Sequence, residues 1–283
     1  MLIRAAGAQT DPLANFLTWH AAGDHVRALE ALARHGAPLV DLDHIRKHLD
    51  SLANVGDATG YDALLREHAT QLGAVPVDAA DPGAFLAWAR TAAALIRAPG
   101  GRTGAGFVAA ERLVLANRRL VVPRADGTDV PTDPGDLDVL IDGRPRLAHR
   151  IITSPRAEML ALIELDEPIE TTTLRVGHSG LIRVGDPVHA VELDAHGVPT
   201  LISGTVQGLD RYSEENPLIL RVELPAGSRP SDCALFNASG EAIAVPGVRP
   251  NTKDSGPTTK DDSISFAITL DTIDDLLSTT RPD

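Results

Sequence analysis

The first third of the chain carries apolar residues at helical spacing. Between Asp11 and Ala98, apolar positions recur every three or four residues, and Gly or Pro interrupts the stripes. Asp11-Pro12 and Asp81-Pro82 have the order of an N-cap followed by a proline in the first helical turn. The stripes are Val26, Leu29, Leu32 and Ala33; Leu42, Ile45, Leu49 and Leu52; Tyr61, Leu64, Leu65, Ala69 and Leu72; and Phe85, Leu86, Trp88, Ala89, Ala92 and Leu95. Short connections between such stripes predict an all-α bundle of antiparallel helices over residues 1–98.

From Gly100 onward the pattern changes to short β-branched runs separated by turn dipeptides. The dipeptides are Asp126-Gly127, Asp142-Gly143, His196-Gly197 and Ser239-Gly240, and the runs include residues 150–153, 160–165, 201–206 and 219–224. Many short strands at this spacing predict an all-β barrel or sandwich over residues 103–283. Residues 98–102, Ala-Pro-Gly-Gly-Arg, are predicted to link two separable domains, and residues 251–262 to form a long polar loop.

Composition narrows the classes of function. The net charge of −13 disfavours a broad nucleic-acid or membrane-surface role, because an acidic surface repels phosphate backbones and anionic lipid. Cys233 is the single cysteine, so an intramolecular disulfide is impossible. No secretory signal and no apolar run of membrane-spanning length is visible, and both observations favour the cytoplasm.

Eight short segments between residues 103 and 278 form an ordered series of motifs. They are Gly104-Ala-Gly-Phe-Val108, Val114-Leu-Ala-Asn-Arg-Arg-Leu-Val121, Asp142-Gly143 with Ala148 and Ile151-Ile152, Leu160-Ala-Leu-Ile163, Val184-Gly-Asp-Pro-Val188, Ser203-Gly-Thr-Val206 to Arg211, Arg229 to Asn237, and Ser265-Phe-Ala-Ile268 to Leu277. In this order they resemble the HtrA/DegP type of trypsin-like serine protease. The resemblance implies two perpendicular six-stranded β-barrels followed by a C-terminal helix.

The resemblance also assigns positions to the catalytic triad, and two of the three have changed. The histidine position is held by Arg119, which stays protonated and cannot act as a base. The aspartate position is held by Met159, which can neither orient nor stabilise an imidazolium. Glu158 is adjacent, but on a strand its side chain would point to the opposite face.

The nucleophile position is Ser231, and its surroundings are altered. The oxyanion loop requires glycine so that backbone amides turn inward, whereas this chain has Arg229 and then Pro230, which lacks an amide hydrogen. We therefore predict a catalytically inactive homologue of these proteases, with no histidine within hydrogen-bond reach of the Ser231 hydroxyl.

Several alternative sites carry weaker signals. A two-residue slip would make Cys233 the nucleophile, and His149, His178, His189 and His196 are conceivable relocated bases. His44 and His48 have the i,i+4 spacing of a two-histidine zinc site, but the glutamate of that motif and a third ligand are missing. Arg118 and Arg119 could bind an anion, although a salt bridge from Arg118 or Arg119 to a nearby carboxylate is the simpler expectation.

These observations favour a protein-interaction protein over an enzyme. The β domain would be a rigid binding body, and the helical domain an adaptor for another protein, as in bacterial signalling or defence systems with this layout. We predict no cofactor, no metal, no nucleic acid and no membrane partner. The alternative is an active serine hydrolase that uses Ser231 with a rearranged base.

Overall fold

The computed structural model divides the chain into two compact units, residues 1–72 and 73–283. It describes residues 11–35, 39, 41–68, 72, 75–78, 80–125, 128–154, 159–171, 173–210, 219–225, 228, 234–246, 264–270, 273 and 276. The predicted turn at Asp126-Gly127 and the predicted loop at 251–262 lie outside these residues. None of the described helices combines the length and apolar character needed to cross a lipid bilayer.

The first unit contains four described helices, and an aspartate caps the N-terminus of each. The helices are α1 (Pro12–Ala21), α2 (His25–Ala33), α3 (Leu42–Asn54) and α4 (Ala58–Glu67). The side chains of Asp11, Asp24, Asp41 and Asp57 each accept a hydrogen bond from a backbone N–H in the first turn of the helix that follows. Each cap satisfies a donor that the helix itself leaves unpaired, so the four Asp residues set where the helices begin.

The core of this unit differs in part from the predicted stripes. Ile45, Leu49, Leu52, Tyr61 and Leu65 are buried as expected, but Val26 is 59% exposed. On α2 the predicted Leu32 is buried, together with Ala28 and Ala31, which the predicted stripe leaves out. The core-facing stripe of α2 is therefore shifted from the prediction toward its two alanines.

The predicted all-α region ends too late, because its last part belongs to the second unit. Helix α5 (Gly83–Ala92) is followed directly by strand β1 (Ala93–Ala98), which pairs with β2 (Arg102–Ala110). Residues 98–102, predicted to be an interdomain linker, are instead the turn of this hairpin, with Gly100 and Gly101 at positive φ. The apolar run Ala-Ala-Leu-Ile fits a helical stripe and a buried strand equally well, and this ambiguity misplaced the boundary.

The second unit is built from two antiparallel sheets. Besides β1 and β2, the first contains β3 (Leu113–Asn117), β6 (Asp138–Ile141), β7 (Arg144–Arg146), β8 (Ala148–Thr153) and β9 (Leu160–Leu165). The order of these seven strands is β7-β6-β1-β2-β3-β9-β8. A separate two-stranded ribbon consists of β4 (Arg124–Ala125) and β5 (Thr128–Asp129). The turn at Asp142-Gly143 has positive φ at both residues, as a tight hairpin between β6 and β7 requires.

The other sheet closes into a six-stranded barrel. Its strands are β10 (Pro187–Leu193), β11 (Pro199–Asp210), β12 (Ile219–Glu223), β13 (Leu235–Phe236), β14 (Ala242–Pro246) and β15 (Ile264–Thr269). Around the barrel they follow the order β10-β11-β12-β15-β14-β13. Together the two sheets match a trypsin-like double β-barrel, although the first has seven strands rather than the predicted six. Of the predicted C-terminal helix only Ile273 and Leu276 are described, and both are buried.

Strand β9 provides a direct test of the β core. It has the predicted bounds, and Leu162 is fully buried between β3 and β8. Leu162→Ala should lower the free energy of unfolding by about 2–5 kcal/mol, because a cavity replaces the side chain. The matched control Leu147→Ala removes a 75% exposed leucine and should change stability by less than about 0.5 kcal/mol. Equal urea midpoints for the two variants would contradict this assignment of the core.

Candidate functional site

The segment that holds Arg119 leaves the first sheet as a short helix. Strand β3 ends at Asn117, and α6 (Arg118–Val121) begins directly after it. The Asn117 side chain caps this helix by accepting a hydrogen bond from the Arg119 backbone N–H at 2.9 Å. Leu120 and Val121 point into the core, which leaves Arg119 exposed at the surface.

Asn117 also joins the two sheets of this unit. Its side-chain amide is fully buried and donates to the carbonyl oxygen of Pro246, at the end of β14, at 3.2 Å. A buried amide needs partners for its donor and acceptor groups, and here one partner is α6 and the other is β14 of the second sheet. Asn117 therefore fixes the start of α6 relative to the second barrel.

The surroundings of Arg119 are cationic. The Arg102 guanidinium donates to the carbonyl oxygens of Arg119 and Leu120 and to the hydroxyl of Thr132. Arg118 forms an ion pair with Asp129 at 2.8 Å, which confirms the expected salt bridge for this arginine. No hydrogen bond or ion pair joins the Arg119 guanidinium to any residue that the structure describes.

Met159, which the resemblance assigns to the aspartate position, lies beside α6. Its carbonyl oxygen accepts a hydrogen bond from the Arg118 backbone N–H at 2.8 Å, and its side chain is 7% exposed. The structure thus brings together the positions of the predicted base and its orienting group. The group that approaches α6 is a backbone carbonyl, and the side chain of Met159 supplies apolar packing instead of a carboxylate.

The nucleophile side of the predicted site lies outside the described residues. This holds for Ser231, for Arg229 and Pro230 of the oxyanion loop, for Cys233, and for Glu158. The prediction that no histidine reaches the Ser231 hydroxyl therefore stays a prediction. Description resumes at Ala234, and β13 then pairs with β10 and β14.

The histidines weighed as relocated bases have other contacts. His189 on β10 is 2% exposed, and its Nδ1 lies 3.0 Å from the hydroxyl of Ser203, its direct neighbour on β11. Burial lowers the pKa of His189, so this imidazole is neutral at pH 7. His149 is exposed and lies 3.1 Å from the Asp166 carboxylate. His178 precedes a short 3-10 turn, and His196 lies in the turn between β10 and β11.

The histidine pair His44 and His48 lies on α3 as predicted, but its two members have different surroundings. His44 lies 3.8 Å from the Asp41 carboxylate, and His48 is packed edge-on against the ring of Phe16. Across the described parts of the chain, no three His, Cys, Asp or Glu side chains are arranged to hold a metal ion.

One buried ion pair was missed by the sequence analysis. Arg175 Nε lies 2.8 Å from the Glu241 carboxylate, and Glu241 is 1% exposed. Asn237 donates to the same carboxylate at 3.0 Å, and its own side-chain oxygen accepts from the backbone of Ser239 and Glu241. In the sequence, the sign of this ion pair is the isolated Glu241, which lies between the Ser239-Gly240 turn and the apolar run of β14. This network fixes the turn that follows the predicted nucleophile loop.

No protein-family model and no curated protein matches this chain, but solved structures do. It is similar to the Rv3671c protease of M. tuberculosis in its active form, at 16% identity and a TM-score of 0.55, over 74% of this chain and 90% of that one. An inactive mutant form of Rv3671c from M. tuberculosis H37Rv matches at 16% identity and a TM-score of 0.53, over 74% and 97%.

A third similar structure is the HtrA-type protease AlgW with a tripeptide. The match has 20% identity and a TM-score of 0.51, and it covers 69% of this chain and 61% of that chain. At such identities the likeness establishes the fold, which is that of the trypsin-like serine proteases. It does not establish chemistry, since one fold hosts many functions.

The double role of Asn117 yields a prediction about stability. Asn117→Ala should lower the free energy of unfolding by about 1–3 kcal/mol, because the cap is lost and the buried Pro246 carbonyl is left without its partner. Arg119→Ala, two residues away and exposed, should stay within about 0.5 kcal/mol of the wild type. Urea denaturation of both variants measures the difference, and a neutral Asn117→Ala would refute the bridging role.

Proposed function

We propose that this protein is a catalytically inactive member of the trypsin-like fold that acts by binding another protein. The observation that carries the proposal is the pair of side chains at the base and orienter positions. Arg119 is exposed within a cationic group of arginines, and Met159 is buried. Serine catalysis in this fold requires a neutral imidazole and a carboxylate at these two places.

The electrostatics at this position are the reverse of those that a triad requires. An orienting carboxylate stabilises the imidazolium that forms when histidine accepts the serine proton. Among the described residues that contact or form α6, the charged groups are Arg102, Arg118 and Arg119, and the carboxylate of Asp129, which pairs with Arg118. These positive charges would destabilise an imidazolium ion beside them, so they oppose proton transfer even to a histidine that reaches this place from another part of the chain.

Because Met159 is buried, an aspartate substituted at this position would not readily supply an ionised orienting carboxylate. An ionised carboxylate in place of this side chain would be largely removed from water, and it would need hydrogen-bond donors to offset the loss of hydration. The Arg118 backbone N–H, which lies beside Met159, is already bonded to the carbonyl oxygen of Met159. The region is therefore adapted to apolar packing in the place where a protease keeps a charged group.

The binding role is proposed for the helical unit, with the β-sheet unit as a rigid body. Three large apolar side chains of the helical unit are at least 39% exposed, namely Val26, Leu42 and Val55. Exposed apolar side chains of this kind are suited to contact with a protein partner. The acidic net charge and single cysteine further support a partner that is itself a protein, in a reducing compartment such as the cytoplasm.

Catalytic inactivity is tested with a fluorophosphonate probe, which modifies only an activated serine. The wild-type protein should be labelled no more than its Ser231→Ala variant, because Arg119 and Met159 hold the positions that the resemblance assigns to the base and its orienting carboxylate. An active trypsin-like protease in the same reaction shows that the probe is competent. Labelling of the wild type that disappears in Ser231→Ala would establish the active-hydrolase alternative.

The binding role is tested by affinity capture from the native host with the full chain. Val26→Ser with Val55→Ser should lose a partner that the wild type retains, because the substitutions remove apolar contact area from the helical unit. Leu147→Ser, at a 75% exposed leucine of the β-sheet unit, is the matched control and should retain it. Loss in the control alone would place the binding surface on the β-sheet unit instead.

A further inference from the structure

A serine and two histidines join three helices in the first unit. His20 lies near the end of α1, His25 is the first residue of α2, and Ser51 lies in the third turn of α3. The Ser51 hydroxyl is 3.0 Å from His20 Nδ1 and 3.3 Å from His25 Nδ1. Ser51 is fully buried, and the centroids of the two imidazole rings are 5.4 Å apart.

The Ser51 hydroxyl can form hydrogen bonds with two neutral imidazoles, using its hydrogen for one and a lone pair for the other, but it cannot use its hydrogen in this way with two charged ones. A serine hydroxyl has one hydrogen to donate and lone pairs to accept. With neutral rings, one Nδ1 accepts the Ser51 hydrogen and the other donates its own hydrogen to the oxygen. When both rings are protonated, both Nδ1 atoms are donors, and the buried hydroxyl hydrogen loses its acceptor.

Two charged rings would place two positive charges at this contact. Imidazolium rings about 5 Å apart repel each other, and partial burial limits the screening by water. The Phe16 ring, whose centroid is 6.0 Å from that of His20, supplies an apolar wall on the same side. The cluster is therefore stable with neutral imidazoles and is destabilised when they become charged.

Charged groups on α3 face His20 and act in both directions. Burial is the largest influence and lowers the pKa of His20, Asp50 opposes it as the next in size, and His25 and Lys47 lower it further. Asp43 raises the pKa of His20 slightly, and a hydrogen bond from Lys47 keeps Asp43 ionised by lowering its own pKa. Burial also lowers the pKa of His48, the next imidazole on α3, with His68 adding to the effect and Glu67 opposing it.

We propose that His20, Ser51 and His25 form a pH-sensitive clasp, which holds the α1–α2 hairpin on α3 at neutral pH and loosens it on acidification. The clasp is independent of the proposed loss of catalysis. It would make any surface formed jointly by α1, α2 and α3 dependent on pH.

The direction of the effect follows from proton linkage. A histidine has a pKa of about 6.5 in an unfolded chain. His20 and His48 have lower values in the folded unit, so the unfolded chain binds more protons at mildly acidic pH. The stabilisation from the neutral rings is complete above the unfolded value, and it declines as the pH falls from about 6.5 toward the lowered folded values.

Tryptophan fluorescence can follow this unit in the full chain. Trp19 lies on α1, with the Arg27 guanidinium 5.0 Å above its ring, and Trp88→Phe removes the only other tryptophan. In this background the urea midpoint reported by Trp19 should fall by on the order of 1 M between pH 7.5 and pH 5.0. An unchanged or higher midpoint at pH 5.0 would overturn the proposal.

Substitutions within the helical unit test whether His20 and His25 cause the shift of the urea midpoint with pH. His20→Gln with His25→Gln keeps polar groups that can bond to Ser51 but cannot be charged, so the shift of the midpoint should fall to less than half. His35→Gln, two residues beyond the end of α2, is the matched control and should keep the full shift. A full shift in the double variant would assign the pH dependence to other groups and overturn the clasp.

A titration of the wild type gives a second measurement that needs no folded variant. Proton NMR of the histidine ring signals, assigned by sequential methods, should give His20 a pKa below about 6.5. A His20 titration at or above that value would mean that protonation does not oppose folding at this site, and would equally overturn the proposal.

Discussion

Four aromatic rings hold α5 and both β-sheets of the second unit in one core. Phe85 and Trp88 of α5 pack against Phe236 of β13, with ring centroids 5.1 and 5.7 Å apart, and Trp88 stacks on Phe107 of β2 at 5.8 Å. The chain has only nine aromatic residues, five Phe, two Trp and two Tyr, so this cluster concentrates much of its large apolar surface in one place. Because α5 contributes two of the four rings, the second unit begins before its first strand.

A contact between the two sheets also sets the position of Arg119 in the candidate site. Asn117 bonds to Pro246 across the two sheets and caps α6, so the position of Arg119 is set by interactions that do not depend on catalysis. The buried Met159 gives this place apolar packing and no charged group that would need hydrogen-bond donors. The contacts that join the two sheets, namely Asn117 with Pro246 and the aromatic rings, do not involve the side chains of Arg119 or Met159.

The helical unit combines an apolar core with short polar contacts. Among its described residues two alanines and eight larger apolar residues are buried, and the four Asp caps and the Ser51 contacts add hydrogen bonds that help to fix the helices. Contacts between His20, His25 and Ser51 depend on the protonation of the rings, whereas apolar packing does not. A unit of this composition is consequently sensitive to pH in a way that the aromatic core of the second unit is not.

The sequence by itself determined the succession of short strands, the ordered motifs, and the presence of Arg119 and Met159 at the positions that the resemblance assigns to base and orienter, because alternation, turn dipeptides and residue types are local properties. It identified β9 with its observed bounds and the turns at Asp142-Gly143, His196-Gly197 and Ser239-Gly240. It could not place the boundary between the units, since residues 93–96 suit a helix or a buried strand until β2 and β6 pair with them. Only the tertiary structure decided that Asn117 bridges the sheets and that His20 and His25 share Ser51, because these partners lie 26 to 129 residues apart and no local pattern encodes such contacts.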